Sequence, residues 1–137
     1  MESFHLFVEV KIKENFSFLK QKHDFSAFTN YQIKDEYYIN CRKDNIEFSV
    51  YIPMYSRCCP SISIIYHTNT KSNNFKRYDV ENLTTKSSIR KGIGSVNIEN
   101  YIIKCANILK ENEQILYGKN EGYIEYNENN YNKNTSQ

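Results

Sequence analysis

Several features that mark particular classes of protein are missing from this sequence or scarce in it. Its 137 residues include no tryptophan, two prolines and four glycines. Because proline and glycine are the strongest breakers of regular structure, most of the chain is expected to form helices and strands. No apolar run reaches the ~20 residues that a membrane-spanning helix requires, so no membrane contact is expected. The formal net charge is only +2, whereas a nucleic-acid-binding domain typically has a pI above ~9 and clustered cations.

The cysteines form no recognisable metal or redox motif. The four of them, Cys41, Cys58, Cys59 and Cys105, include no C-x-x-C pair, and two adjacent cysteines cannot easily ligate one metal ion. The N-terminal segment mixes charged residues with its apolar ones, so we expect no secretion signal. A reducing cytoplasm with free thiols is the simplest interpretation, and we expect neither a metal nor a cofactor.

Aromatic residues are abundant, and apolar residues recur at helical spacing near both ends of the chain. Twelve tyrosines and eight phenylalanines indicate a folded protein, because disordered chains are poor in aromatics. Spacings of three and four predict two amphipathic helices, one over residues 4–19, extending to about Lys22, and one over residues 98–116. The predicted core positions are Phe4, Val8, Ile12, Phe16 and Leu19 in the first, and Ile98, Ile102, Cys105, Ile108 or Leu109, and Leu116 in the second.

Between these segments the sequence has the pattern of β-strands. Residues 46–52 alternate strictly, with Ile46, Phe48, Val50 and Ile52 on one side, which predicts a strand with one covered face. Further strands are predicted over residues 37–41, 61–67 and 75–80, with a less distinct one at 31–33, and a short helix is predicted to begin within residues 79–83. Ser95 or Asn97 is the expected N-cap of the second helix, and Gly118 the residue that ends it.

These elements predict an α+β fold. We expect an antiparallel β meander of four to five strands, with the N-terminal and C-terminal helices packed on one face. Residues 1–118 would form a single domain. Residues 119–137 would form a polar tail that is partly disordered, with residues 122–126 able to pair as a short edge strand.

No set of residues points clearly to catalysis. Cys58 or Cys59 could pair with His67 as nucleophile and base, but the intervening strand would separate them by roughly 25 Å. His5 and His23 read as surface residues of the first helix. The basic loop at 89–95 precedes a helix but lacks the residue order of a phosphate-binding loop; if it binds an anion, Arg90 and Lys91 are the residues to test. We therefore predict that the protein is not an enzyme.

Tyrosines interleaved with basic residues leave a second possibility open. A small nucleic-acid-binding module could stack bases on a tyrosine-rich sheet face with arginine and lysine beside it. The plainer interpretation is that tyrosine is a good strand residue with a polar tip. The residues of this possible platform are Tyr51, Tyr55, Arg57, Tyr66, Lys76, Arg77 and Tyr78.

The order of elements and two local segments resemble a known family. The segments are Ile12–Leu19 (IKENFSFL), followed by Phe25, and the closing helix at Tyr101–Lys110 (YIIKCANILK). Over residues 4–118 the chain resembles the small cytoplasmic immunity proteins of bacterial polymorphic toxin systems, including contact-dependent growth inhibition. The resemblance implies a protein that binds one cognate toxin domain tightly and blocks it.

From this resemblance and the lack of a catalytic set, we predict an immunity protein, or antitoxin, that acts through a protein–protein interface. The expected contact surface is the polar sheet face together with the loops at 54–60 and 76–94. The candidate partner-binding residues are Tyr55, Arg57, Asp79 and Glu81. Many such toxins are nucleases with basic clefts, which acidic groups would complement.

Overall fold

Five strands form one antiparallel sheet, and helices from both ends of the chain pack on one of its faces. The computed structural model describes residues 4–53, 60–67, 75–83, 94–123 and 125, with the backbone alone at 94–97. The helices are α1 (Phe4–Asn15), α2 (Phe18–His23) and α3 (Gly94–Glu111), with short 3₁₀ helices at Val80–Asn82 and Glu113–Tyr117. The strands are β1 (Thr29–Ile33), β2 (Glu36–Lys43), β3 (Ile46–Pro53), β4 (Ser61–His67) and β5 (Phe75–Asp79).

The strands lie in the sheet in the order in which they occur in the sequence, so the predicted meander is confirmed. Two-residue turns join β1 to β2 and β2 to β3. Lys34 and Asp44 open these turns with φ of 53° and 54°, the left-handed conformation that a tight antiparallel reversal requires. The least distinct strand of the sequence, around residues 31–33, is also present and forms one edge of the sheet.

Alternation along the strands separates a covered face from an open one. Ile46, Phe48, Val50 and Ile52 are all buried, as the period of two predicts. On β4 the pattern is less regular. Ser63 is buried, although the register places it on the open side of the sheet, opposite Ser49 of β3. Its hydroxyl is occupied by Arg77 and Asp79, which cover it from β5.

The N-terminal helical segment is broken, which the sequence did not predict. α1 ends at Asn15 and α2 begins at Phe18. The side chains of Asn15 and Ser17 donate to the carbonyls of Lys11 and Glu14, local bonds that compete with a continuous helix. The break also has a packing reason. Positions 16 and 18 lie about 200° apart on an ideal helix, yet Phe16 and Phe18 are both buried.

The C-terminal helical segment matches its predicted core. Ile98, Ile102, Cys105 and Leu109 are fully buried on α3, as is Leu116 in the following 3₁₀ helix. The predicted N-cap is wrong: α3 begins at Gly94, so positions 95 and 97 already lie inside its first turn. The predicted extent to residue 116 is also wrong, because α3 ends at Glu111 and a separate 3₁₀ helix, Glu113–Tyr117, follows. Gly118, with a φ of 85°, ends that 3₁₀ helix instead.

Polar side chains form hydrogen bonds between the sheet and the helical layer, which consists of α1, α2, α3 and the two 3₁₀ helices. Glu9 on α1 accepts hydrogen bonds from Lys13, Asn30 of β1 and Tyr37 of β2, at 2.8, 2.7 and 2.7 Å. Burial alone would raise the pKa of Glu9, but these three donors outweigh it and lower the pKa. At the other end of the sheet, the Tyr66 hydroxyl donates to the carbonyl of Ile115 at 2.5 Å.

His23 is not the surface residue that its position in the sequence indicated. Its side chain is only 6% exposed. Nε2–H donates to the Glu113 carboxylate at 3.0 Å, and Nδ1 shares a hydrogen bond of 2.6 Å with the Tyr117 hydroxyl. Those partners lie about ninety positions away in the chain, so helical spacing alone could not predict the contact. His23 thus links the end of α2 to the C-terminal 3₁₀ helix.

The predicted short helix after β5 is present as the 3₁₀ helix Val80–Asn82. The described part of the tail does not form an edge strand: Gly122 adopts a φ of 87°, and Tyr123 bonds through its hydroxyl to Gln114 and Asn112. Residue 124 and residues 126–137 lie outside the described residues. Across the ranges that the structure describes, no helix is long and apolar enough to cross a membrane.

Candidate functional site

The sheet face opposite the helices carries most of the polar and aromatic side chains that are not used in the core. We call this surface the open face. Strand register places its residues in neighbouring positions on all five strands. They are Thr29, Tyr31, Ile33, Glu36, Tyr38, Asn40, Arg42, Glu47, Ser49, Tyr51, Pro53, Ser61, Ser63, Ile65, His67, Phe75, Arg77 and Asp79.

Three tyrosines form a row across β1, β2 and β3, which we call the tyrosine row. Tyr31 pairs with Tyr38, and Tyr38 pairs with Tyr51, so all three side chains project to the same side. The ring centroids of Tyr31 and Tyr38 are 4.9 Å apart with an interplanar angle of 15°, and those of Tyr38 and Tyr51 are 5.4 Å apart. Cross-strand aromatic pairs of this kind stabilise a sheet and hold each ring in place.

Glu36 lies beside the middle of this row, two residues before Tyr38 on β2, and binds two of its hydroxyls. Tyr38 donates to Oε1 at 2.7 Å, and Tyr51 donates to Oε2 at 3.5 Å. Burial, followed by the hydrogen bond and negative charge of Glu36, raises the pKa of Tyr38 to about 12. The pKa of Tyr51 is also raised, by burial first and by Glu36 second. At neutral pH the phenols of Tyr38 and Tyr51 therefore stay protonated.

A second carboxylate, Glu47, occupies the middle of the open face with two partners. Nε2–H of His67 donates to its Oε1 at 2.7 Å, and the Asn40 amide donates to its Oε2. The Glu47 side chain is 15% exposed and that of His67 is 31% exposed. The pair is thus fixed in the sheet, with the histidine as its more accessible member.

A third charged group is built on β5. Arg77 Nη2 lies 3.2 Å from Asp79 Oδ1 and 2.9 Å from the Ser61 hydroxyl. Its Nε–H also donates to Ser63 at 3.0 Å and to Asp79 at 3.2 Å. These bonds hold the guanidinium flat along the strands, with its charge balanced by the adjacent carboxylate.

A shallow depression of about 340 Å³ separates these groups. Glu36, Tyr38 and Tyr51 line one side of it, and Ile65, Phe75 and Arg77 line the other, with small serine side chains between. Phe75 is 55% exposed, although it lies on a strand. The depression is open to solvent and suits a side chain projecting from another molecule.

The four residues predicted to contact a partner do not all fall on this surface. Asp79 lies on the open face beside Arg77. Glu81 lies in the following 3₁₀ helix and accepts a hydrogen bond from Tyr101 of α3 at 2.6 Å, which places it at the helical layer. Tyr55 and Arg57 lie outside the described residues. As partner-binding residues, all four remain predictions.

The set of residues proposed from the sequence as a base-stacking platform is not brought together. Tyr66 and Tyr78 are buried at 7% and 3% exposure, on the face that the helices cover. Lys76 pairs with Tyr66 in the register and so lies on that side too. Only Tyr51 and Arg77 of the described members are on the open face. The row that does form includes Tyr31 and Tyr38, which could have been found only by predicting the strand register.

Only some of the other residues considered for catalysis or anion binding lie within the described residues. Cys58, Cys59 and the basic residues Arg90 and Lys91 lie outside the described residues. Cys41 and Cys105 are buried thiols, and burial raises the pKa of Cys41 to about 12, so it is not a reactive thiolate. In the part of the chain that the structure describes, no group of three or more His, Cys, Asp or Glu side chains could hold a metal ion.

Comparison with protein-family models, with curated proteins and with solved structures finds no match to this chain. The interpretation of the open face therefore depends on its own residues and geometry.

The raised pKa of Tyr38 gives a direct test of the open-face geometry. Because the phenol is held neutral, Tyr38 should ionise near pH 12 in the folded protein, against about 10 for an unperturbed tyrosine. The stability associated with this group is present below pH 10 and is lost as the pH rises towards 12. The tyrosinate absorbance of wild type and Tyr38→Phe, titrated in parallel, isolates this step.

Glu36→Gln should move the same step to lower pH by removing the neighbouring charge. Glu111→Gln, an exposed carboxylate on α3, should leave it unchanged and serves as the matched control. A Tyr38 step that is identical in both variants would contradict the contact with Glu36.

Proposed function

We propose that this chain is a non-enzymatic binding protein, an immunity protein that neutralises a cognate toxin domain by docking it on the open face. The observation that carries the proposal is the tyrosine row with its ordered charged neighbours, on a sheet face that the chain's own helices leave uncovered. The resemblance of residues 4–118 to immunity proteins gives the partner its class.

The residue types of the open face are those that contribute most to protein–protein binding. Tyrosine and arginine are enriched at the energetic centres of interfaces, because each presents a large, partly apolar surface with a polar end. Here both types are already held by hydrogen bonds, Tyr38 by Glu36 and Arg77 by Asp79. A surface arranged before binding loses less side-chain entropy on association, so a larger share of its contact energy appears as affinity.

The charges of the same surface favour a protein over a nucleic acid. Glu36 on β2 and Glu47 on β3 lie on the strands that carry the tyrosine row, and their carboxylates would repel a phosphate backbone. Stacking of bases on the tyrosines remains the alternative, and it makes a different prediction: retention on single-stranded DNA or heparin at low salt, lost steeply as salt is added.

In this role the protein acts in the cytoplasm, where it meets the toxin before the toxin reaches its target. The buried thiols Cys41 and Cys105 fit a reducing compartment. Docking on the open face leaves the helical layer and the core untouched, so the fold need not change on binding.

Co-expression with the toxin domain encoded beside this chain tests the proposal. The two proteins should co-purify as a complex, and cells producing both should grow while cells producing the toxin alone do not. Association without protection, or protection without association, would count against neutralisation by direct binding. Retention on single-stranded DNA with no effect on the toxin would favour the alternative.

A further inference from the structure

We propose that Glu36 and the tyrosine row form a receptor for an arginine side chain projecting from the partner. The inference rests on the proposed function, to which it adds the chemistry of the group that is recognised. The juxtaposition that carries it is a carboxylate with no ion pair among the described residues, beside the rings of Tyr38 and Tyr51 at the rim of the open-face depression, with Tyr31 stacked on Tyr38.

The charge balance of the open face points to this position. Glu47 is satisfied by His67 at 2.7 Å and Asp79 by Arg77 at 3.2 Å. Within the described part of the chain, Glu36 makes no ion pair, and its hydrogen bonds come from the two phenols. It is thus the one carboxylate of this described surface that makes no ion pair.

The hydrogen bonds of Glu36 come from neutral phenols, so they place no cation beside it. The phenol of Tyr38 stays protonated at neutral pH, since its pKa is about 12. Each carboxylate oxygen accepts one tyrosine hydroxyl and retains a second lone pair for a further donor. A cation that arrives from outside finds an acceptor that is already oriented.

The rings beside Glu36 select the kind of cation. A guanidinium is planar, so it can stack on an aromatic face while its N–H groups fork onto a carboxylate. Tyr38 and Tyr51 line the depression together with Glu36, so their rings give the guanidinium an aromatic surface adjoining that carboxylate. A lysine ammonium is a strongly hydrated point charge and matches only the carboxylate, so arginine fits this site better.

Other charged groups of the depression do not oppose the proposal. Arg77 lies on the far side, where Asp79, Ser61 and Ser63 bind it. Arg42 lies six residues along β2 from Glu36, about 20 Å away at the rise of a strand. At that distance its effect is largely screened at physiological ionic strength.

An NMR titration of the isolated chain tests the inference without the partner. The probes are the N-acetyl amides of arginine, lysine and citrulline, the last being a neutral analogue of arginine with nearly the same shape. The arginine probe should shift the ring resonances of Tyr31, Tyr38 and Tyr51 and saturate. The lysine probe should bind more weakly, and citrulline should bind at least about tenfold more weakly than arginine, because it lacks the charge that Glu36 recognises.

Variants then locate the site. Glu36→Gln keeps the shape and the acceptor oxygen but removes the charge, and it should weaken arginine binding about tenfold or more. Glu111→Gln removes one carboxylate from the helical layer and should leave binding unchanged. The comparison of arginine with citrulline uses the wild-type chain alone, so it stands even if Glu36→Gln disturbs the fold.

The inference is overturned if arginine causes no tyrosine shifts, if citrulline binds equally well, or if Glu36→Gln and Glu111→Gln behave alike. Its failure is distinct from failure of the proposed function. If the toxin binds wild type and Glu36→Gln with equal affinity, the arginine receptor is contradicted and the immunity role stands. If the chain binds arginine but does not bind the toxin, the immunity role is contradicted and the arginine receptor stands.

Discussion

Replacing Phe48 by alanine is expected to lower the free energy of unfolding by about 3–5 kcal/mol, the range for removing a fully buried phenylalanine. Phe48 lies at the centre of β3 with no exposed surface. Its ring centroid is 4.7 Å from that of Phe16 and 6.2 Å from that of Phe28. The substitution would therefore open a cavity where Phe16, in the break between α1 and α2, packs against β3. A domain of this size is typically stable by about 5–15 kcal/mol, so much of that margin is lost.

Phe75→Ala is the matched control, because it removes the same side chain from an exposed position of β5. Surface substitutions usually change stability by about 0.5 kcal/mol or less. Urea denaturation followed by circular dichroism measures both variants, and the midpoints should separate clearly with similar slopes. Equal midpoints would mean that Phe48 does not anchor the helical segment to the sheet.

The features of the fold that the sequence could predict are those with local causes. The period of two at Ile46–Ile52 and the helical spacing of Ile98, Ile102 and Cys105 follow from the geometry of one element against one core. Those positions are all buried. The meander followed from short connections between neighbouring strands, because consecutive elements tend to lie side by side.

The features that escaped prediction depend on contacts between distant parts of the chain. The helix break between α1 and α2 satisfies the burial of both Phe16 and Phe18, which a local period cannot reveal. His23 is buried because Glu113 and Tyr117 come to it from the C-terminal end. Its place after Lys20 and Lys22 in the sequence indicated a solvated helix end instead.

The candidate site likewise depends on contacts that the sequence alone does not predict. Tyr31, Tyr38 and Tyr51 occur on three strands and become neighbours only in one register. A shift of a single residue would move a tyrosine to the other face. Tyr66 and Tyr78 look equivalent to them in composition but lie in the core. Residue type therefore indicated a tyrosine-rich surface, whereas strand register determined which tyrosines form it.

If the toxin domain docks on the tyrosine row, Tyr38→Ala should weaken its binding by about 2 kcal/mol or more, roughly 30-fold in Kd. Tyr38 is the middle ring, in contact with Tyr31 and Tyr51 and bonded to Glu36. Its truncation removes a large aromatic contact and the support of both neighbours. Most of the loss should appear as faster dissociation, since mutations within one interface act mainly on the off-rate.

Two further variants separate this effect from a general loss of structure. Tyr38→Phe keeps the ring and removes only the hydroxyl, so it should retain most of the affinity. Leu6→Ala truncates an exposed side chain on α1, in the helical layer, and should bind as wild type does. Calorimetry or surface plasmon resonance with the purified toxin domain gives the comparison, with denaturation midpoints recorded for each variant. Equal affinity of Tyr38→Ala and wild type would place the toxin contact away from the open face, whereas a loss confined to Tyr38→Ala would place the aromatic surface, rather than the phenol hydroxyl, at the centre of the interface.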